Sequence, residues 1–191
     1  ILGPVILAAF SPLLAWRQPV YIIAGFSGIL GLALMLLQPL LAAGLLPGLQ
    51  LRSARKLHKV VGLTLVAAVL THVVALWITS PPDVIDALLL SSPTPFSIWG
   101  VIAMWALFGA AALVVVRKSL RLRWTLWRAG HVTLVTLAVT GTVVHALLIE
   151  GTMETFSKIT LCVFVALVLG LAIFVLRSRR AVPPGSRPFQ N

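Results

Sequence analysis

The chain has 191 residues, of which 60% are hydrophobic and 10% charged, and its mean hydropathy is +1.07. A soluble domain carries roughly 25% charged residues, so this composition excludes a soluble protein and indicates an integral membrane protein with one bundle-sized domain. The formal charge of +11 does not imply nucleic acid, because the basic residues fall where a membrane protein places them.

A crossing helix needs about 20 mostly apolar residues. The chain offers six such stretches, approximately 1–16, 19–46, 57–79, 96–116, 127–149 and 156–176. The expectation is an all-α bundle of six transmembrane helices over 1–176, followed by a basic, Pro-rich cytoplasmic tail at 177–191. The first stretch is short and carries Pro4 and Pro12. It starts at Ile1 rather than methionine, so a few residues are expected to precede it. It has no small-residue cleavage site and merges into the bundle, so no cleavable signal is expected.

The second stretch is long for one crossing. Gln38-Pro39 and the later LLPGL suggest that it ends or kinks near 38, with an interfacial continuation. Its small residues, AGFSGILG at 24–31, suit close helix packing. The third and fifth stretches hold all four histidines. The sixth holds the single cysteine, Cys162, which excludes an internal disulfide and reads as a small core residue.

Alternate loops carry thirteen and two basic residues. Arg52, Arg55, Lys56 and Lys59 lie between the second and third stretches. Arg117, Lys118, Arg121, Arg123 and Arg128 lie between the fourth and fifth, and Arg177, Arg179, Arg180 and Arg187 follow the sixth. The other loops hold Arg17 and Lys158 with all four acids, Asp83, Asp86, Glu150 and Glu154. The positive-inside rule then places both termini in the cytoplasm, with anionic lipid as the partner of the basic loops.

His58 and His72 are fourteen residues apart, and so are His131 and His145. Fourteen residues of α-helix return to within about 40° of the same face and advance about 21 Å. Against about 30 Å of hydrocarbon, one histidine of each pair lies near each membrane side. Both stretches run outward, so His58 and His131 share the inner level, and His72 and His145 the outer. If the two helices are neighbours, the imidazoles form two facing pairs stacked across the bilayer. Zinc wants three or four protein ligands at one place, and each level offers two. Haem iron wants two axial ligands, so two haems, one per level, fit the pattern.

Gly62 and Gly141 lie one turn from His58 and His145 on the histidine faces, where they could admit a macrocycle edge or serve ordinary packing. Thr71 and Thr140 could orient an imidazole, although a membrane threonine more often bonds its own backbone. Arg55, Lys59, Arg123 and Arg128 are candidates for haem propionates or plain topology charges. Trp124 and Trp127 read as interface anchors.

Two stretches, RKLHKVVGLTLVAAVLTHVVALW (55–77) and WRAGHVTLVTLAVTGTVVHALL (127–148), resemble the third and fifth helices of the ferric reductase-like transmembrane domain family. That family includes NADPH oxidases, ferric reductases and the membrane subunit of the bacterial methionine sulfoxide reductase system. The resemblance implies haem b, two per chain, with iron held by His58 and His131 inside and by His72 and His145 outside. It also implies one-electron transfer outward across the membrane.

Family members often continue into flavin and nicotinamide domains. Here RSRRAVPPGSRPFQN (177–191) is too short for either, and no GxGxxG occurs. The expected donor is therefore a separate flavoprotein or quinol, and the acceptor a ferric chelate, oxygen or docked protein at the outer loops, 81–93 and 150–158. No nucleophile or general acid can be read, so the chain is an oxidoreductase only as an electron-transfer component. Competing readings are an accessory or assembly haem subunit of a larger respiratory or photosynthetic complex, and a quinol-oxidising cytochrome b, whose Pro-Glu-Trp-Tyr motif is missing. A haem-free proton relay lacks any carboxylate within the membrane. The Ala-, Leu-, Val- and Arg-rich composition suggests a bacterial inner membrane.

Overall fold

The computed structural model describes residues 2–11, 14–15, 17–151 and 153–181. Regular structure among them is helical: α1 (Leu2–Ala9), α2 (Pro19–Ala43), α3 (Leu51–Thr79), α4 (Pro81–Leu88), α5 (Pro95–Val116), α6 (Trp124–Leu148) and α7 (Thr155–Ala181). Five of these, α2, α3, α5, α6 and α7, are long and apolar enough to cross a membrane. They correspond to five of the six expected crossings.

A sixth crossing, expected at 1–16, is not established among the described residues. Helix α1 has eight residues, a length of about 12 Å at the α-helical rise, against about 30 Å of hydrocarbon. The chain leaves it through a turn in which the Ser11 N–H donates to the Ala8 carbonyl (3.2 Å). Pro12, outside the described residues, follows directly and disfavours helix at the position before it. The expectation that both termini share one side rested on six crossings.

Of the two outcomes expected near 38, an end or a kink, helix α2 does not take the first: it runs through Pro39 to Ala43. Pro39 removes one N–H, a local loss that the surrounding turns absorb. What ends the helix is Gly44, in the left-handed region at φ 62° and ψ 44°. There the Leu45 N–H donates to the Leu40 carbonyl (2.9 Å) and the Gly44 N–H to that of Leu41 (3.3 Å). That is a Schellman cap, which a glycine accommodates without Cβ strain.

Helices α2 and α3 form one packed hairpin and α5 and α6 a second. Helix α7 packs on α2 and α6 and ties the hairpins together, while α3 touches α5 only lightly. Helices α3 and α6, which carry the histidines, are not among the closely packed pairs. The core joins Ile29, Leu32, Ala33 and Met35 to Leu65, Val139, Leu161, Cys162 and Val165. Cys162 is fully buried there, as its apolar setting suggested. Outward, large apolar side chains such as Val60, Leu63, Leu167 and Phe174 are exposed. On a soluble protein so much exposed apolar surface would be a liability; here it is the lipid face.

Basic side chains close several helix ends. Arg179 Nη1 donates to the Ala43 carbonyl (2.9 Å), Arg128 Nη2 to that of Leu176 (3.4 Å), and Lys158 Nζ to that of Ile149 (2.8 Å). Cations suit these carbonyl-rich termini, where the helix dipole is negative.

Candidate functional site

His58 and His72 project from α3, and His131 and His145 from α6, all of them half-buried. His58 lies close enough to His131, and His72 to His145, for the charge on one ring to act on the other. From the sequence, the fourteen-residue spacing suggested the same two pairs. Among the described residues no group of three or more His, Cys, Asp or Glu could hold a metal ion. Each level offers two nitrogen ligands and no more.

Each hairpin orients its own histidines. His72 Nδ1 lies 2.7 Å from the Ala24 carbonyl oxygen, and His58 Nδ1 lies 3.1 Å from that of Gln38. On the other hairpin His145 Nδ1 lies 2.9 Å from the Phe96 carbonyl oxygen. A carbonyl only accepts, so in these three rings Nδ1 carries the proton and donates. The remaining nitrogen, Nε2, is then the one with a free lone pair. Metal-bound histidines are commonly fixed by this outer bond, which sets tautomer and ring orientation together.

The acceptors repeat the spacing of the donors. Ala24 and Gln38 are fourteen residues apart on α2, and Phe96 and Ala110 are fourteen apart on α5. Because each hairpin is antiparallel, the same axial step on both of its helices brings each imidazole level with a carbonyl. His131 departs from the pattern. The Ala110 carbonyl lies in its vicinity, yet its buried Nδ1 has no partner in hydrogen-bond geometry.

Two glycines make room for the rings. A Cβ on Gly28 would lie 3.1 Å from His72 Nδ1, and one on Gly100 would lie 2.8 Å from His145 Nδ1. Each glycine stands one helical turn after the carbonyl that its histidine uses, so the ring lies across the bare backbone. The Phe96 ring also meets His145 edge-on, with centroids 5.8 Å apart.

Gly28 and Gly100 were not singled out from the sequence, where Gly28 read only as a packing residue. The glycines that were singled out stand elsewhere. Gly62 faces the Gln38 side chain, with Nε2 3.0 Å from where a Cβ would sit, and Gly141 faces the α5 backbone, 3.0 Å from the Trp99 carbonyl oxygen. Thr71 bonds back to the Ala67 carbonyl (3.0 Å), and Thr140 lines an apolar groove between α6 and α7. Arg55, Lys59 and Arg123 are exposed at the basic end, whereas Arg128 is half-buried and held to α7.

The family comparison agrees with this architecture. The model for the family described as ferric reductase like transmembrane component matches residues 27–142, from α2 into α6. It takes in His58, His72 and His131, with His145 three residues beyond its end. No curated protein and no solved structure matches the chain significantly. The match covers more than half of the sequence, and the chain belongs to the ferric reductase like transmembrane component family.

Proposed function

We propose that this chain is a membrane electron-transfer cytochrome b that holds two haems, one between His58 and His131 and one between His72 and His145. The observation that carries the reading is the orientation of the imidazoles. Three of the four have Nδ1 committed to a backbone carbonyl and Nε2 free, and all four stand on α3 and α6, helices that do not pack closely. The donor set fits haem: two neutral nitrogens per level and no third ligand. Family membership supports the electron-transfer role.

Bound at these levels, haem iron would supply one-electron chemistry. The protein's own part is positional. The carbonyls of Ala24, Gln38 and Phe96 hold the Nδ1 protons, and the apolar helices keep water from the ligating nitrogens. Arg55 and Arg128 stand at the basic end, where propionates of the His58/His131 level would meet positive charge. With that end in the cytoplasm by the positive-inside rule, electrons enter at His58/His131 and leave at His72/His145. The donor is a cytoplasmic reductant or quinol, and the composition supports a bacterial inner membrane.

The test is a redox-difference spectrum with haem quantified per chain, on the wild type and on His72→Ala. Two b-type haems falling to one support the proposal. A wild-type chain that takes up no haem, expressed with haem supply intact, sinks it.

A further inference from the structure

His131 is the one histidine whose Nδ1 makes no bond in hydrogen-bond geometry; the Ala110 carbonyl lies near enough to act on it, so a second contact counts for more at this ring than at the other three. One turn earlier on the same helix is Trp127, whose indole stacks on the imidazole with centroids 5.5 Å apart and planes 14° from parallel. Residues four apart on a helix meet in this way. Trp124 packs against Trp127, with centroids 4.9 Å apart and planes at 30°. The Arg117 guanidinium lies over both indoles, 4.7 Å from the Trp124 centroid and 4.6 Å from that of Trp127. Trp127 Nε1 and His131 Nδ1 are both buried without hydrogen-bond partners. Ring-on-ring packing, not directional bonding, therefore holds this part of the chain.

We propose that Trp127 is the positioning residue for His131, doing by stacking what a carbonyl does for His58, His72 and His145. This role rests on the haem reading above. The cation of Arg117 over the indole faces is a favourable arrangement, and it clamps the stack against the basic loop. Trp124 is 53% exposed, so the clamp runs from the surface at the basic end to the ligating ring. The two levels are thus built differently. At His72/His145 both imidazoles are locked by hydrogen bonds, whereas at His58/His131 one is locked and the other meets a looser carbonyl contact and an indole face.

The role is tested on the full chain, loaded with haem, by comparing Trp127→Leu and Trp127→Phe with the wild type. Two quantities are read: the rate of haem transfer to excess apomyoglobin, and the low-spin electron paramagnetic resonance signal of each haem. Signals are assigned with His72→Ala, and the His72/His145 level serves as internal control. Loss of an outer-shell partner commonly weakens a metal ligand site by about 10–100-fold. Trp127→Leu is therefore expected to speed haem loss from the His58/His131 level about tenfold or more and to shift its signal, with the other level unchanged. Trp127→Phe, which keeps an aromatic face, restores most of both.

A Leu variant that matches the wild type in both readouts overturns the role, as does one that perturbs both levels equally without rescue by Phe. Wild-type protein that takes up no haem overturns the underlying haem reading together with the role. Haem-loaded wild type with an unaffected Leu variant overturns the role alone.

Discussion

The His72 imidazole donates from Nδ1 to the Ala24 carbonyl oxygen at 2.7 Å, across the hairpin formed by α2 and α3. His145 does the same to Phe96 across the α5–α6 hairpin, at 2.9 Å. The bundle thus orients one imidazole from each of two similarly built halves, each half supplying its own carbonyl; on the two-haem proposal these are the ligands of one level. Several measurable consequences lie in the close approach that these bonds require.

Gly100→Ala places a methyl 2.8 Å from His145 Nδ1, closer than real Cβ contacts come. The ring is fixed by its bond to Phe96, so either that bond or the ring position must give. We expect haem affinity at the His72/His145 level to fall by about 10–100-fold, the usual cost of a lost outer-shell partner. Gly28→Ala, with a 3.1 Å approach to His72 Nδ1, is expected to act in the same direction but more weakly. Haem titration of the purified variants orders them; equal retention in Gly100→Ala and the wild type would refute the steric argument.

The two glycines beside the histidines on α3 and α6 are expected to behave unlike each other. A methyl on Gly62 meets the flexible end of Gln38, whereas one on Gly141 meets the Trp99 carbonyl oxygen and the Ala103 backbone nitrogen. Side chains can swing aside and backbone cannot. Gly141→Ala should destabilise the α5–α6 contact by about 1–3 kcal/mol, the usual cost of overpacking, and Gly62→Ala by less. Thermal melts in detergent compare them directly, and a lower melting point for Gly62→Ala would contradict the assignment.

Replacing the ligands should separate the two levels. His131→Ala removes haem from the His58/His131 level and leaves the other level loaded, while His145→Ala does the converse. The difference spectrum and haem count of each variant check this. Loss of both haems in either single variant would mean that the two levels are not independent sites.

At the other end of α6, Lys158 is buried and its ammonium donates to the Ile149 carbonyl at 2.8 Å. Lys158→Met keeps most of the stem but leaves that terminal carbonyl without its donor. A hydrogen bond from a charged group contributes about 1.5–3 kcal/mol. A lower melting temperature with unchanged haem content is the expected result, and an unchanged melting temperature would show that the cap is dispensable.

Glu154 gives a pH dependence at the start of α7. Its carboxylate accepts from the Ser157 N–H (3.0 Å) and the Phe156 N–H (3.1 Å). Those two bonds, Ser157 first, hold its pKa below the usual carboxylate range. A pKa depressed in the folded state means that the contribution is present above the unfolded glutamate value of about 4.3 and fades as pH falls through the lowered one. Melts of the wild type should therefore drop only as pH falls below the unfolded glutamate value, and Glu154→Gln should flatten that part of the profile. Superimposable profiles would remove Glu154 from the account.

Much of this protein follows from the order of its residues. An apolar chain with few charges must lie in a membrane, because only lipid can face side chains such as Leu63 and Phe174. The placement of arginine and lysine distinguishes one end of the bundle from the other. The spacing of His58 from His72 and of His131 from His145 requires two levels, since helical pitch is a property of the backbone and not of its surroundings.

Other features were decided only by the tertiary structure. The orienting groups for the imidazoles are carbonyl oxygens, which every residue has, so no letter in the sequence marks Ala24 or Phe96. Gly28 and Gly100 acquire their role only once α2 is laid beside α3 and α5 beside α6. Gly62 and Gly141, which share a face with the histidines, are instead taken up by contacts with α2 and α5. The passage of α2 through Pro39 likewise depends on how a local loss is offset by neighbours. Helical periodicity is local and can be read along one chain, whereas a hydrogen bond between helices depends on their relative register, which packing alone establishes.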